Sequence, residues 1–129
     1  MINMLIVSHS KDLAKGVYDL TSQMAEDVNI DYVGGTEEGD LGSNFELINE
    51  KIINLSQNDN LIIMFDLGSS MMNSQMALEM LEPETQERVI LADLPLVEGS
   101  VEIAMQVETG KNFEEIKKYV EENKFGKLN

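Results

Sequence analysis

The chain has 129 residues, a length that suits one domain with its own core. Its 24 acidic and 9 basic residues give a net charge of −15, and it lacks the Lys and Arg clusters that counterion-release binding to nucleic acid or an anionic membrane requires. Without a cysteine, it has no disulfide framework, no thiolate metal site and no Cys nucleophile.

The first stretch, "INMLIV" (2–7), is apolar and rich in β-formers, and reads as a strand. It ends at Ser8-His9-Ser10, and His9 is the only histidine. Leu13, Val17, Leu20 and Met24 then follow at helical spacing. "VNIDYV" (28–33) reads as a second strand and "GGTEEGDLGS" (34–43) as a Gly-rich loop. Phe45, Ile48, Ile52 and Leu55 mark a second helix. "NLIIMFDL" (60–67) is apolar on both faces before Asp66, the pattern of a central strand covered on both sides.

Ser69 or Ser70 is placed to cap a third helix, whose Met72, Met76 and Met80 form a stripe that reads as core. Met71 falls off that stripe, beside the Asp66 loop. "RVILADL" (88–94) is a fourth strand. Pro95 and Gly110 bracket a helix over 95–110, and Asn112 is a candidate N-cap for a last helix over 112–126.

The order βαβαβαβαα predicts an α/β fold: a single doubly wound, mainly parallel sheet with helices on both faces, in one domain spanning 1–129. Right-handed crossovers bring the carboxyl ends of all strands to one edge, where ligands bind in such folds. That edge collects Ser8-His9-Ser10, Gly34-Gly35-Thr36, Asp66-Leu67-Gly68-Ser69-Ser70 and Ala92-Asp93-Leu94.

His9 offers a nucleophilic nitrogen, and a carboxylate such as Asp66 would fix its tautomer and offset the charge of the ring after attack. Helices starting after Ser10 and near Gly68-Ser69-Ser70 offer free N–H groups and positive dipole ends, a cradle for phosphate. Each residue also has an ordinary reading: His9 as a hydrogen-bonding strand end, Asp66 as a turn or cap residue, Gly34-Gly35 as a turn. One histidine and no cysteine leave no set of zinc ligands, and no cofactor is expected. Phosphorylation of Asp66 in a receiver-like site would call for an acidic pair after the first strand and a lysine after a late one. Ser8, His9, Ser10 and Ala92-Asp93 stand at those places instead.

Together, "IVSHSKDLAKGV", "GGTEEGDLGSNFELI", "IIMFDLGSSMMN" and "LADLPLVEG" resemble the mannose-type EIIA domains of the bacterial phosphotransferase system. Within that family the resemblance is nearest to the phosphotransfer subunit of the phosphoenolpyruvate-dependent dihydroxyacetone kinase, and it runs through about residues 1–125. It implies that His9 is a phosphoryl carrier, charged by the phosphocarrier protein HPr and discharged to ADP on the nucleotide-binding kinase subunit. The regenerated ATP would then phosphorylate dihydroxyacetone on a third subunit.

Asp66 matches the aspartate that orients the histidine, and Gly35, Thr36, Gly68 and Ser69 match loops lining the phosphoryl site; Ser10, where the first helix begins, is a further phosphoryl-binding candidate. A homodimer is implied as well. Some relatives continue into HPr-like and enzyme I-like domains, so a chain ending at Asn129 is expected to use separate HPr and enzyme I. Two other readings stand beside this one. The first is a sugar-transport EIIA domain that passes phosphate to an EIIB domain. The second is a sensor or adaptor of the same fold in which His9 is structural.

The N-terminus shows no basic, long-apolar leader, and no apolar run nears membrane-spanning length. A cytoplasmic protein without membrane insertion is expected. Its acidity serves solubility, or offers an acidic face to a basic patch on a partner.

Overall fold

The computed structural model describes residues 1–128; Asn129, the last residue of the expected domain, lies outside them. The elements are β1 (Ile2–Ser8), α1 (Lys11–Met24), β2 (Asn29–Gly34), α2 (Phe45–Ser56), β3 (Asn60–Phe65), α3 (Gly68–Glu79), α4 (Pro83–Gln86), β4 (Val89–Ala92), α5 (Leu96–Glu108) and α6 (Phe113–Glu122). The four strands pair in the order β2-β1-β3-β4, and all three pairings are parallel. The expected mainly parallel sheet is therefore parallel throughout its described strands.

Two cores form because side chains alternate across the sheet. Met4, Ile6, Ile62, Met64 and Ile90 face one side, where they meet Ala14 and Val17 of α1, Ile103 and Ala104 of α5, and Ile116 and Val120 of α6. Leu5, Val7, Leu61, Ile63 and Phe65 face the other, against Ile48 and Ile52 of α2 and Ala77 of α3. This explains why β1 and β3 are apolar on both faces: neither has a face toward water. Ile63 is fully buried in the second core. Ile63→Ala should cost about 2–5 kcal/mol of stability by leaving a cavity. Urea unfolding measures this, and a loss below about 1 kcal/mol would mean that the core collapses around the gap.

Several boundaries differ from expectation. The third strand stops at Phe65 rather than residue 67, because the Asp66 carboxylate takes the Leu67 N–H for itself. The fourth stops at Ala92: the Leu94 N–H turns back to the Ala92 carbonyl, and Pro95 follows. The last helix ends at Glu122, and the segment after it runs back to Asp93 instead of continuing to residue 126. A short helix, α4, opens on Pro83. Asn112 caps α6 as expected, in a reciprocal capping box with Glu115.

The methionine stripe is the clearest correction. Met72, Met76 and Met80 are 60%, 48% and 66% exposed. The face that α3 buries is Ser70, Ser74 and Ala77. Small side chains let the helix lie close to its neighbours, and the three methionines of the stripe are turned outward while Met71 and Leu78 pack against the core. In the same way α1 buries Ala14, Val17 and Thr21, while Leu13, Leu20 and Met24 stay largely exposed. Among the described residues, no helix is long and apolar enough to cross a membrane.

Candidate functional site

β1 and β3 lie side by side in the middle of the sheet, with Val7 opposite Phe65. From β1 the chain crosses to β2 on one side, while β3 and β4 lie on the other. The carboxyl ends of β1 and β3 thus flank the point where strand order reverses, the usual place for a site in such sheets. His9 and Asp66 are the residues that leave those two strands.

Asp66 gathers four donors on two oxygens. Oδ2 accepts from the Ser8 hydroxyl at 2.7 Å and from the His9 backbone N–H at 3.0 Å. Oδ1 accepts from the Leu67 N–H at 2.7 Å and faces His9 Nδ1 at 3.2 Å. Burial works to raise the Asp66 pKa, but the bonds from His9, Ser8 and Leu67 outweigh it and hold the carboxyl below its usual range. An ionised carboxylate only accepts, so His9 carries its proton on Nδ1 and its lone pair on Nε2.

A second chain of bonds ends on that lone pair. The Asn73 amide donates to Ser43 Oγ at 2.8 Å, Ser43 donates to Ser69 Oγ at 2.8 Å, and Ser69 donates to His9 Nε2 at 3.1 Å. Each donor in the series strengthens the next. Ser70 Oγ lies 3.2 Å from Nδ1 and shares its proton with Asp66. The ring is thus held on both nitrogens, yet the side chain is 27% exposed and open to a reactant.

Ser69 and Ser70 sit in the first turn of α3 rather than at its cap. The N-cap is Leu67, which makes no side-chain capping bond. In contrast, α1, α2 and α6 are capped by Ser10, Asn44 and Asn112. The first-turn N–H groups of α3 are without a side-chain acceptor, beside Nε2, at the positive end of the helix.

Gly68 starts that helix at φ 55°, a left-handed conformation, and a Cβ there would stand 3.0 Å from His9 Nε2. Gly68→Ala should lose about 1–3 kcal/mol through strain at the unfavourable dihedral, and it should displace the imidazole. A thermal melt and the ring signals of the single histidine read both effects. Unshifted ring signals would show that the ring has room to spare.

The expected site residues therefore divide. His9, Asp66, Gly68 and Ser69 meet at one point. Ser10 serves α1: its Oγ accepts from the Leu13 N–H, and its own N–H donates to Ser8 Oγ. Gly35 donates its N–H to the Ser8 carbonyl, and Thr36 closes a turn with Asp40 through both its N–H and its hydroxyl. These residues fix the loop over 34–43, which returns to the site where the Gly42 N–H meets the His9 carbonyl.

Ser43 and Asn73 are additions to the expected site, and Ser8 and Ser70, expected only as part of its edge, contact Asp66 and His9 directly. Ser8 and Ser70 adjoin His9 and Ser69 in sequence, whereas Ser43 and Asn73 carry no local signal. As expected, no lysine follows β4; from the C-terminal segment, however, Lys127 reaches the Phe65 carbonyl. Among the described residues, no group of three or more His, Asp or Glu stands together as a metal site.

Comparison with known proteins shows the family of the chain. The EIIA-man family model, described as the fructose IIA component of the phosphotransferase system, matches residues 3–117. The chain is 39% identical over 104 residues to the phosphoryl donor subunit DhaM of Listeria innocua phosphoenolpyruvate-dependent dihydroxyacetone kinase 1, covering 81% of this chain and 80% of that one. It is 34% identical over 117 residues to the phosphotransferase subunit DhaM of the Lactococcus lactis kinase, covering 91% of each. The crystal structure of EF1359, a protein of unknown function, superposes with a TM-score of 0.82 at 34% identity, covering 92% of each chain. By its sequence over nearly its whole length and by its fold, the chain belongs to the EIIA-man family of the phosphotransferase system, in the company of the phosphoryl donor subunits of dihydroxyacetone kinases.

Proposed function

We propose that His9 is a phosphoryl relay, charged at Nε2 by the phosphohistidine of HPr and discharged to ADP on a dihydroxyacetone kinase subunit. The observation that carries this reading is the pair of opposed restraints on the ring. Asp66 holds the proton on Nδ1, while the Asn73–Ser43–Ser69 chain points at the lone pair on Nε2.

In each step one P–N bond to Nε2 forms or breaks. On loading, the Nε2 lone pair attacks phosphorus and the donor nitrogen leaves with its own pair. Nδ1 keeps its proton, and the positive charge that the ring acquires lies against the Asp66 carboxylate. On discharge, a β-phosphate oxygen of ADP attacks and the pair returns to Nε2. No proton has to leave the ring in either direction. Ser69 and the uncapped first turn of α3 supply donors to the phosphoryl oxygens as they pass. A net charge of −15 favours brief docking with a partner that offers a basic face.

The test is incubation with phosphoenolpyruvate, enzyme I and HPr. One acid-labile, base-stable phosphoryl group per chain is expected on His9. An acyl phosphate on Asp66, or no label at all, would sink the reading.

The family description names a fructose component, which favours a second reading in which an EIIB domain accepts the phosphoryl group. The labelled protein offered both an ADP-loaded kinase subunit and an EIIB domain separates the two. Discharge to the kinase subunit is expected, in keeping with the names of the Listeria and Lactococcus relatives.

A further inference from the structure

The geometry points to Lys127 as a positioning residue for Asp66, anchoring the peptide that presents its carboxylate to His9. Lys127 lies in the segment that follows α6 and runs back beneath the carboxyl edge of the sheet. Asp93, 2% exposed after β4, holds that segment. Its carboxylate accepts the N–H groups of Gly126, Lys127 and Leu128 at 3.2, 2.8 and 3.2 Å, and its carbonyl accepts that of Phe125 at 2.9 Å. Four bonds to one residue fix the direction in which Lys127 leaves the backbone.

Its ammonium donates to the Phe65 carbonyl and lies 4.4 Å from the centroid of the Phe65 ring. That carbonyl has lost its strand partner. In this parallel ladder Leu61 takes the Arg88 carbonyl, and the same alternation carried upward would give the Phe65 carbonyl to the Leu94 N–H. The Leu94 N–H instead returns to the Ala92 carbonyl at 3.0 Å. Lys127 fills the vacancy.

The peptide in question joins Phe65 to Asp66. Its N–H is held by the Val7 carbonyl at 3.2 Å, and its C=O is held by Lys127. Without the ammonium, this peptide is tethered on one side only. The carboxylate that fixes the His9 tautomer is then free to tilt. Burial holds the Lys127 pKa below the usual lysine range, and the Asp93 and Asp66 carboxylates nearby oppose part of that shift.

The effect on transfer rests on His9 being the phosphoryl carrier, but the effect on the ring does not. Because the chain has one histidine, 15N-histidine labelling gives a single pair of ring signals that report the tautomer directly. The wild type should show the Nδ1–H form. Lys127→Met should show a mixture of tautomers and about tenfold slower uptake of phosphate from HPr. Lys127→Arg, which keeps a cationic donor, should restore both. Lys124→Met, altering an exposed lysine paired with Glu121, serves as the control for the segment.

A Lys127→Met protein with wild-type ring signals and a wild-type rate would overturn the assignment, even if it melted at a lower temperature. A wild type that takes no label would refute the relay, and the tautomer alone would then decide the role of Lys127.

Discussion

His9→Ala should take up no phosphoryl group from phosphoenolpyruvate, enzyme I and HPr, while keeping its fold. The loss should be complete because no second nucleophile stands in its place. Ser69 and Ser70 touch the ring, but neither has a base of its own once the imidazole is gone. The fold should survive because the Asp66 network does not need the ring: the Ser8 hydroxyl, the residue 9 backbone N–H and the Leu67 N–H still meet the carboxylate. A stability change within about 1 kcal/mol is expected from removing a partly exposed side chain. Label persisting in His9→Ala would place the chemistry elsewhere.

Asp66→Asn should slow phosphoryl uptake by roughly 10²–10⁴, the scale seen when an orienting carboxylate becomes an amide. The amide has one accepting oxygen for two fixed backbone donors, His9 N–H at Oδ2 and Leu67 N–H at Oδ1. In either orientation its NH₂ confronts one of them. When the NH₂ faces the ring, Nδ1 must accept, the proton moves to Nε2, and the nucleophile is blocked.

Stability should follow pH in a defined direction. The Asp66 pKa is lowered in the folded chain, so its contribution is fully present above the ordinary carboxylate value of about 3.9 and is lost as pH falls through the lower, folded value. The stability gap between wild type and Asp66→Asn should therefore be widest near neutral pH and close on strong acidification. A gap that is flat with pH would mean that the carboxylate does not stabilise the fold through its charge.

Much of the fold was legible because β1 and β3 are buried on both sides, and such strands announce themselves as apolar runs on both faces, interrupted in β1 by Asn3. That His9 and Asp66 could meet followed from their place on one sheet edge and from the family resemblance; that they leave adjacent strands is seen in the strand order. The faces of α1 and α3 were not legible. Helical periodicity finds a stripe but does not say which way it turns when small residues form a competing one. In α3, Ser70, Ser74 and Ala77 won the interior over Met72, Met76 and Met80. The fully buried line of α3 is made of small side chains, while Met71 and Leu78 pack against the core from its margin. Ser43 and Asn73 escaped notice because their bonds join a loop to a helix 26 and 30 residues away. Lys127 escaped for a similar reason: its place depends on a buried aspartate collecting backbone N–H groups, which no local pattern encodes.

The bond between His9 and Asp66 spans 57 positions of the chain, and it exists only once β1 and β3 have paired in register. Before they can pair, the intervening α1, β2 and α2 must be looped out, so the contact comes late and against the entropy of closing a long loop. A nascent or partly folded chain can hold helices and still have a histidine with no fixed tautomer. Phosphoryl uptake during refolding should then lag behind the recovery of helical signal, and the label becomes a stopwatch for the central strand pairing.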